Sequence, residues 1–159
     1  MNITISGGSK KLYDLAHSIV DYCGKTILSK QLYNTISVDV EFDKNLHKES
    51  GVLGEVDFDD KNHKPREFTI TIDCTVSKRR IMESIAHEMV HVKQWICGEM
   101  YEYVDPNVVR FMKKKVDISN MDYYDYPWEI EAFGRQLGLF IHWCEVDGLG
   151  DREDMREVA

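Results

Sequence analysis

Residues 85–95 read IAHEMVHVKQW, and no other stretch constrains the fold as tightly. Between Ser77 and Cys97, Ile81, Ile85, Met89, Val92 and Ile96 recur at helical spacing, with Met82, Ala86 and Val90 on a neighbouring stripe. A helix apolar over that much of its circumference is buried, and Gly98 is placed to stop it. Its middle nevertheless carries His87, Glu88 and His91. Buried polar groups cost free energy unless something satisfies them, so the fold has to provide a partner for all three.

A divalent metal ion answers that demand. Histidines four residues apart lie on one helix face, one turn apart, and can aim their nitrogens at a single Zn²⁺ about 2.0–2.1 Å from each. Glu88 lies about 100° further round the helix. From there it reaches an attacking water without being a ligand, the arrangement of the H-E-x-x-H hydrolases. Such a site needs a third protein ligand and an open fourth position. His17 falls on an early helix, His47 and His63 in charged loops and His142 on the last helix, so each reads as a surface or core-edge residue. The better source is PWEIEAFGRQLGLF, residues 127–140. There Glu129 shares a mostly apolar face with Ala132, Phe133, Gln136, Leu137 and Phe140, whereas Glu131 shares one with Arg135 and Gly138. A ligand must face the core, which favours Glu129 and leaves Glu131 as the alternative.

The rest of the chain reads as α+β. NITIS (2–6) suits a short first strand, and Ser9 can cap a helix over about 10–23 with Leu12, Leu15, Ala16, Ile19 and Cys23 on one stripe. Strands are expected over 35–43, 54–60 and 67–76, where apolar and polar residues alternate. A shorter helix is expected near 106–115, with Pro106 at its start. The tyrosine-rich segment MDYYDYP follows, then a helix from Pro127 to about Glu145. The tail from Asp147 is acidic and glycine-containing, and is expected to fray.

The bulk properties narrow the function. A length of 159 residues with 43% hydrophobic content suits one domain with a real core. A net charge of -8 argues against non-specific nucleic-acid binding, which leans on Lys and Arg. The basic runs Lys78–Arg80 and Lys113–Lys115 read as solvated helix ends. The N-terminus has no signal-peptide pattern and no stretch approaches the ~20 apolar residues of a membrane span. Cys23, Cys74, Cys97 and Cys144 form no C-x-x-C pair and sit in apolar elements, so they read as reduced thiols of a cytoplasmic protein.

IAHEMVHVKQW followed by WEIEAF resembles the gluzincin branch of the zincin metallopeptidases, in which H-E-x-x-H on one helix is completed by a glutamate, often within E-x-x-A, on a later one. Glu129-Ile-Glu-Ala132 matches that pattern. The chain also looks similar to small single-domain zincin-like proteins of phage and bacterial genomes, with SprT-like and ImmA/IrrE-type groups as architectural relatives. The resemblance implies a zincin-like domain over residues 1–146, followed by a flexible tail over 147–159. It implies a small, mainly antiparallel sheet packed on the H-E-x-x-H helix, with strand 67–76 as the edge that aligns a peptide by strand addition. Zn²⁺ would be held by His87, His91 and Glu129, with Glu88 as general base and a peptide or protein as substrate. Tyr123, Tyr124 and Tyr126, or Tyr101 and Tyr103, would supply an oxyanion donor. Many gluzincins place an Asp four residues after the glutamate ligand to orient a histidine; here that position is Phe133, and Asp122, Asp125 or Glu131 would have to substitute. SprT-like proteins take a third histidine, for which no suitably placed residue exists. A catalytically inactive scaffold, an amidase with a non-protein target, and a metal-free structural protein are the competing readings.

Overall fold

The computed structural model describes residues 1–58 and 63–156. In chain order it comprises β1 (Asn2–Gly7), α1 (Tyr13–Ile27), α2 (Lys30–Tyr33), β2 (Ser37–Asp43), α3 (Leu46–Ser50), β3 (Gly54–Asp57) and β4 (Glu67–Asp73). There follow α4 (Lys78–Ile96), β5 (Met100–Glu102), β6 (Val108–Phe111), β7 (Lys114–Asp117) and α5 (Pro127–Val146). Short 3-10 turns precede α1 and α5 and close the described chain. The α+β class stands.

The larger sheet has the order β1-β2-β4-β3. It is not mainly antiparallel. β1 pairs with β2 in parallel, β2 with β4 in parallel, and only the edge strand β3 runs antiparallel. The expectation failed for a physical reason. Parallel sheets are usually covered on both faces and read as continuous apolar runs. Here α1 and α4 pack on one face only. Val38, Val40, Phe42, Phe68, Ile70 and Ile72 point into that layer, while Thr4, Asp39 and Glu41 stay exposed opposite. The resulting alternation imitates an antiparallel strand. β1 and β2 are parallel because α1 carries the chain back across the sheet.

The helix near 106–115 is also overturned. Val108–Phe111 and Lys114–Asp117 form a hairpin that adds β5 to make a separate three-stranded antiparallel sheet. Its tight turn lies at Met112 and Lys113, both with positive φ (48° and 68°). Two-residue hairpins of this sense usually use Asn or Gly, so the sequence carries no turn signal there. Pro106 sits in the preceding turn, and the alternate burial of Val109 and Phe111 fixes the strand register.

The remaining elements fall close to expectation. Ser9 caps a single 3-10 turn, and α1 begins three residues later than the proposed start at residue 10. The strand expected over 54–60 ends at Asp57; residues 59 and 60 lie outside the described residues. The strand expected to reach residue 76 stops at Asp73. That buried carboxylate accepts bonds from the backbone N–H groups of His47 and Thr75. Of the tail expected to be flexible over 147–159, residues 157–159 lie outside the described residues, and the part over 147–156 makes a few contacts with the rest of the chain. Asp147 accepts a bond from Trp143 Nε1, Lys78 pairs with Asp154 at 2.6 Å, and Met155 is buried.

α4 is the spine of the molecule. Ser77 caps its first turn through Arg80 N at 3.3 Å. Gly98, at φ +67°, ends it in a paired closure: Gly98 N–H bonds Trp95 O, and Glu99 N–H bonds Gln94 O. Its apolar stripes pack on β3 and β4, α1 and α5. The histidine face is therefore pressed against α5 and the edge of the sheet. Among the described residues no helix is long and apolar enough to cross a membrane, and the four cysteines are free thiols.

Candidate metal centre

The helical register places His87, Glu88 and His91 on the part of α4 that meets α5 and β3. α5 starts at Pro127, the favoured first helical position, with an N-terminal turn that carries Glu129 inward. His87, Glu88, His91 and Glu129 are all at most 8% exposed.

Three ligand side chains converge. His87 Nε2 and His91 Nε2 lie 3.1 Å apart. Glu129 Oε2 is 3.2 Å from the former, and Glu129 Oε1 is 3.4 Å from the latter. Two atoms each 2.0–2.1 Å from a tetrahedral ion are separated by about 3.3 Å. The triangle therefore has the dimensions a zinc-sized ion requires, and no other described group of His, Cys, Asp or Glu side chains comes together in this way.

The hydrogen-bonding logic points the same way. Gln94 Nε2 donates to Trp128 O at 3.0 Å and to Glu131 Oε2 at 3.1 Å. That fixes the amide orientation, so Gln94 Oε1 is the atom 2.8 Å from His91 Nδ1. An amide oxygen only accepts, so Nδ1 carries the proton and Nε2 presents a lone pair. Gln136 Oε1 lies 2.8 Å from His87 Nδ1, where an amide oxygen accepts the Nδ1 proton. Two imidazole lone pairs and a carboxylate thus face one another, and Glu129 Oε2 is buried without a hydrogen-bond donor. The cluster demands a positive charge at its centre. Burial would raise the Glu129 carboxyl, but contacts from His87, His91 and Tyr123 hold it down at about 2. Burial would lower the His91 imidazole, but Glu129 and Glu88 push it up.

Glu88 stands apart from the triangle. Burial, against partial relief from the two histidines and with repulsion from Glu129 and Glu55, raises its pKa. A carboxylate with raised basicity beside a metal site suits proton abstraction. Gly54 on β3 makes room for it: a Cβ there would lie 2.8 Å from Glu88 Oε1 and 3.0 Å from Ile72 Cδ1. Gly54→Ala should therefore displace the Glu88 carboxylate while leaving His87, His91 and Glu129 in place. A crystal structure of the variant checks this.

The other candidate residues separate cleanly. Glu131 is outside the triangle. It pairs with Lys93 and Arg135 and steadies Gln94, so it acts on His91 through an amide. Asp122 caps the 3-10 turn before α5 by accepting from Tyr124 N, and no contact brings it or Asp125 to a ligand. The Tyr123 hydroxyl stays protonated, because burial and then the neighbouring Glu129 carboxylate raise its pKa. Tyr124 packs on Phe133, and Tyr126 on Trp128. The Tyr101 ring lies tilted against that of His63, and Tyr103 meets Tyr101 edge to face. His17 is exposed and His142 pairs with Glu145. Phe133, standing where an orienting Asp was looked for, packs its ring 4.6 Å from that of His87. Sequence reasoning missed Gln94 and Gln136. Both lie on the correct helix faces, three residues after His91 and seven after Glu129, but glutamine is common on helices and carries no ligand signature. Strand 67–76 is not the edge either, because β3 covers β4.

No protein-family model, curated protein or solved structure matches this chain.

Proposed function

We propose that the protein is a zinc-dependent peptidase of the gluzincin kind. The observation that carries this reading is the triangle of His87 Nε2, His91 Nε2 and Glu129 around a space of the right size, with an unligated, basic glutamate beside it. Two imidazoles and one carboxylate form a donor set suited to catalytic zinc, which leaves a fourth position open. When bound, Zn²⁺ supplies a Lewis acid that brings the pKa of water towards about 7 and offsets charge building on a carbonyl oxygen.

The chain's own groups do the rest. Glu88 removes the proton of the attacking water and returns it to the leaving amine. Gln94 and Gln136 hold both imidazoles in the tautomer that frees Nε2. Tyr123 donates towards the developing oxyanion from the mouth of the site, where it borders the cavities on both sides of the ligands. β3 leaves its outer edge unpaired among the described residues and offers backbone groups to an extended substrate. The net charge of -8 favours polypeptide over nucleic acid.

The test is direct. Protein loaded with one equivalent of zinc should cleave internally quenched peptides, lose activity to a chelator and regain it on zinc addition. Stoichiometric zinc with no cleavage across a broad library would select an inactive scaffold instead, and cleavage confined to cell-wall fragments an amidase. Tyr123→Phe should keep its zinc and lose about 10²–10³-fold in kcat with little change in KM. An unchanged kcat would return Tyr123 to a packing role.

A further inference from the structure

α5 is apolar on both of its sides. One side packs on α4 and α1. The other carries Ile130, Phe133, Leu137 and Ile141, spaced by three and four residues and therefore on one face. Tyr124, from the turn before α5, extends that face by bringing its ring 5.6 Å from that of Phe133. These five side chains are 42% to 69% exposed. The outer face of a surface helix is normally polar, and a helix apolar all round is a covered one. Residues 59–62 and 157–159 are too few to cover this face.

Two glycines show how close a cover can come. Gly134 and Gly138 lie beside the apolar ridge, and a Cβ at either would meet nothing within 4 Å. Glycine destabilises a helix interior relative to alanine, and no packing inside this chain requires it at either position. The pair leaves a shallow trough along the ridge, where the backbone of a second helix can approach.

Area and charge point to a second copy as the cover. The five side chains expose roughly 600 Å² per chain, the top of the range for the largest apolar patch of a monomer. The two glycines with the flanking Arg135 and His142 bring the face to the roughly 800 Å² that each partner gives to a standard interface. Its flanking carboxylates are already engaged, Glu131 by Arg135 at 2.8 Å and Glu145 by His142 at 2.9 Å. Chains of net charge -8 repel one another, so copies meet with least repulsion on a face of this kind. A two-fold axis also makes the fit reciprocal, because the ridge of each copy enters the trough of the other.

We infer that the outer face of α5 joins two copies of this chain into a two-fold dimer centred on Gly134, Leu137 and Gly138. The dimer needs neither zinc nor turnover, so it stands apart from the peptidase reading.

Sedimentation of the full chain between about 1 µM and about 200 µM tests it, with the dissociation constant expected in the roughly micromolar range. At the highest concentration the mass should be twice 18.6 kDa. Leu137→Asp places a charge at the centre of the face, and Gly138→Gln fills the trough. Each should weaken the dimer by about tenfold or more. Both positions are exposed in the single chain, so circular dichroism and zinc content should match the parent. Val104→Glu, at an exposed residue away from α5, should leave the mass unchanged. A mass of one chain at the highest concentration overturns the inference and leaves the face to a different partner. An assembly larger than two, a dimer that survives both α5 variants, or one that Val104→Glu dissolves overturns it as well.

Discussion

Glu88→Gln retains one zinc per chain and loses about 10²–10⁴-fold in kcat, the usual range for removing a general base. The prediction follows from separation of roles on one helix. His87 and His91 turn their Nε2 atoms to Glu129, whereas Glu88, one residue on, faces Gly54 and stays out of the triangle. Glutamine is nearly isosteric, so it fits against Gly54 and preserves the packing of a side chain that is 5% exposed. It cannot accept a proton. The buried carboxylate it replaces carries a pKa raised chiefly by desolvation, so its removal also relieves an unfavourable burial. The variant should therefore be at least as stable to heat as the parent. Loss of zinc together with activity would mean that Glu88 is a ligand and that the role assignment is wrong.

The two glutamates of α5 should behave oppositely. Glu129→Gln loses stoichiometric zinc, because an amide replaces the only anionic ligand and leaves two imidazoles with no charge to balance a dication. Glu131→Gln keeps zinc but binds it about 10–100-fold more weakly, the range for losing a group that orients a ligand. The structural difference is concrete. Glu129 Oε1 and Oε2 lie 3.4 and 3.2 Å from the imidazole nitrogens, while Glu131 reaches His91 only through the Gln94 amide. Competition titrations against a chromogenic chelator separate the cases. Equal losses in both variants would dissolve the distinction between ligand and support.

Much of this centre was legible in the sequence because helices enforce spacing. A four-residue interval fixes where two imidazoles point, and burial decides between Glu129 and Glu131 once the faces of α5 are drawn. Orienting groups were not legible. Gln94 and Gln136 matter only through the partner that tertiary packing brings to them, and no spacing rule connects residue 91 to residue 136. The fold shows the same divide. α4 and α5 were readable from their caps and stripes. The sheet's strand directions were not, because a parallel sheet covered on one face alternates like an antiparallel one. The Met112–Lys113 turn was hidden for a third reason: two side-chain-bearing residues adopt a backbone shape usually signalled by Asn or Gly.

The central claim is that a zinc ion sits between His87, His91 and Glu129. The most direct measurement is anomalous diffraction from crystals of the zinc-loaded protein, recorded on both sides of the zinc absorption edge. The account predicts one strong peak per chain, about 2.0–2.1 Å from both Nε2 atoms and from a Glu129 oxygen. A peak elsewhere, or none at these side chains under saturating zinc, would contradict it.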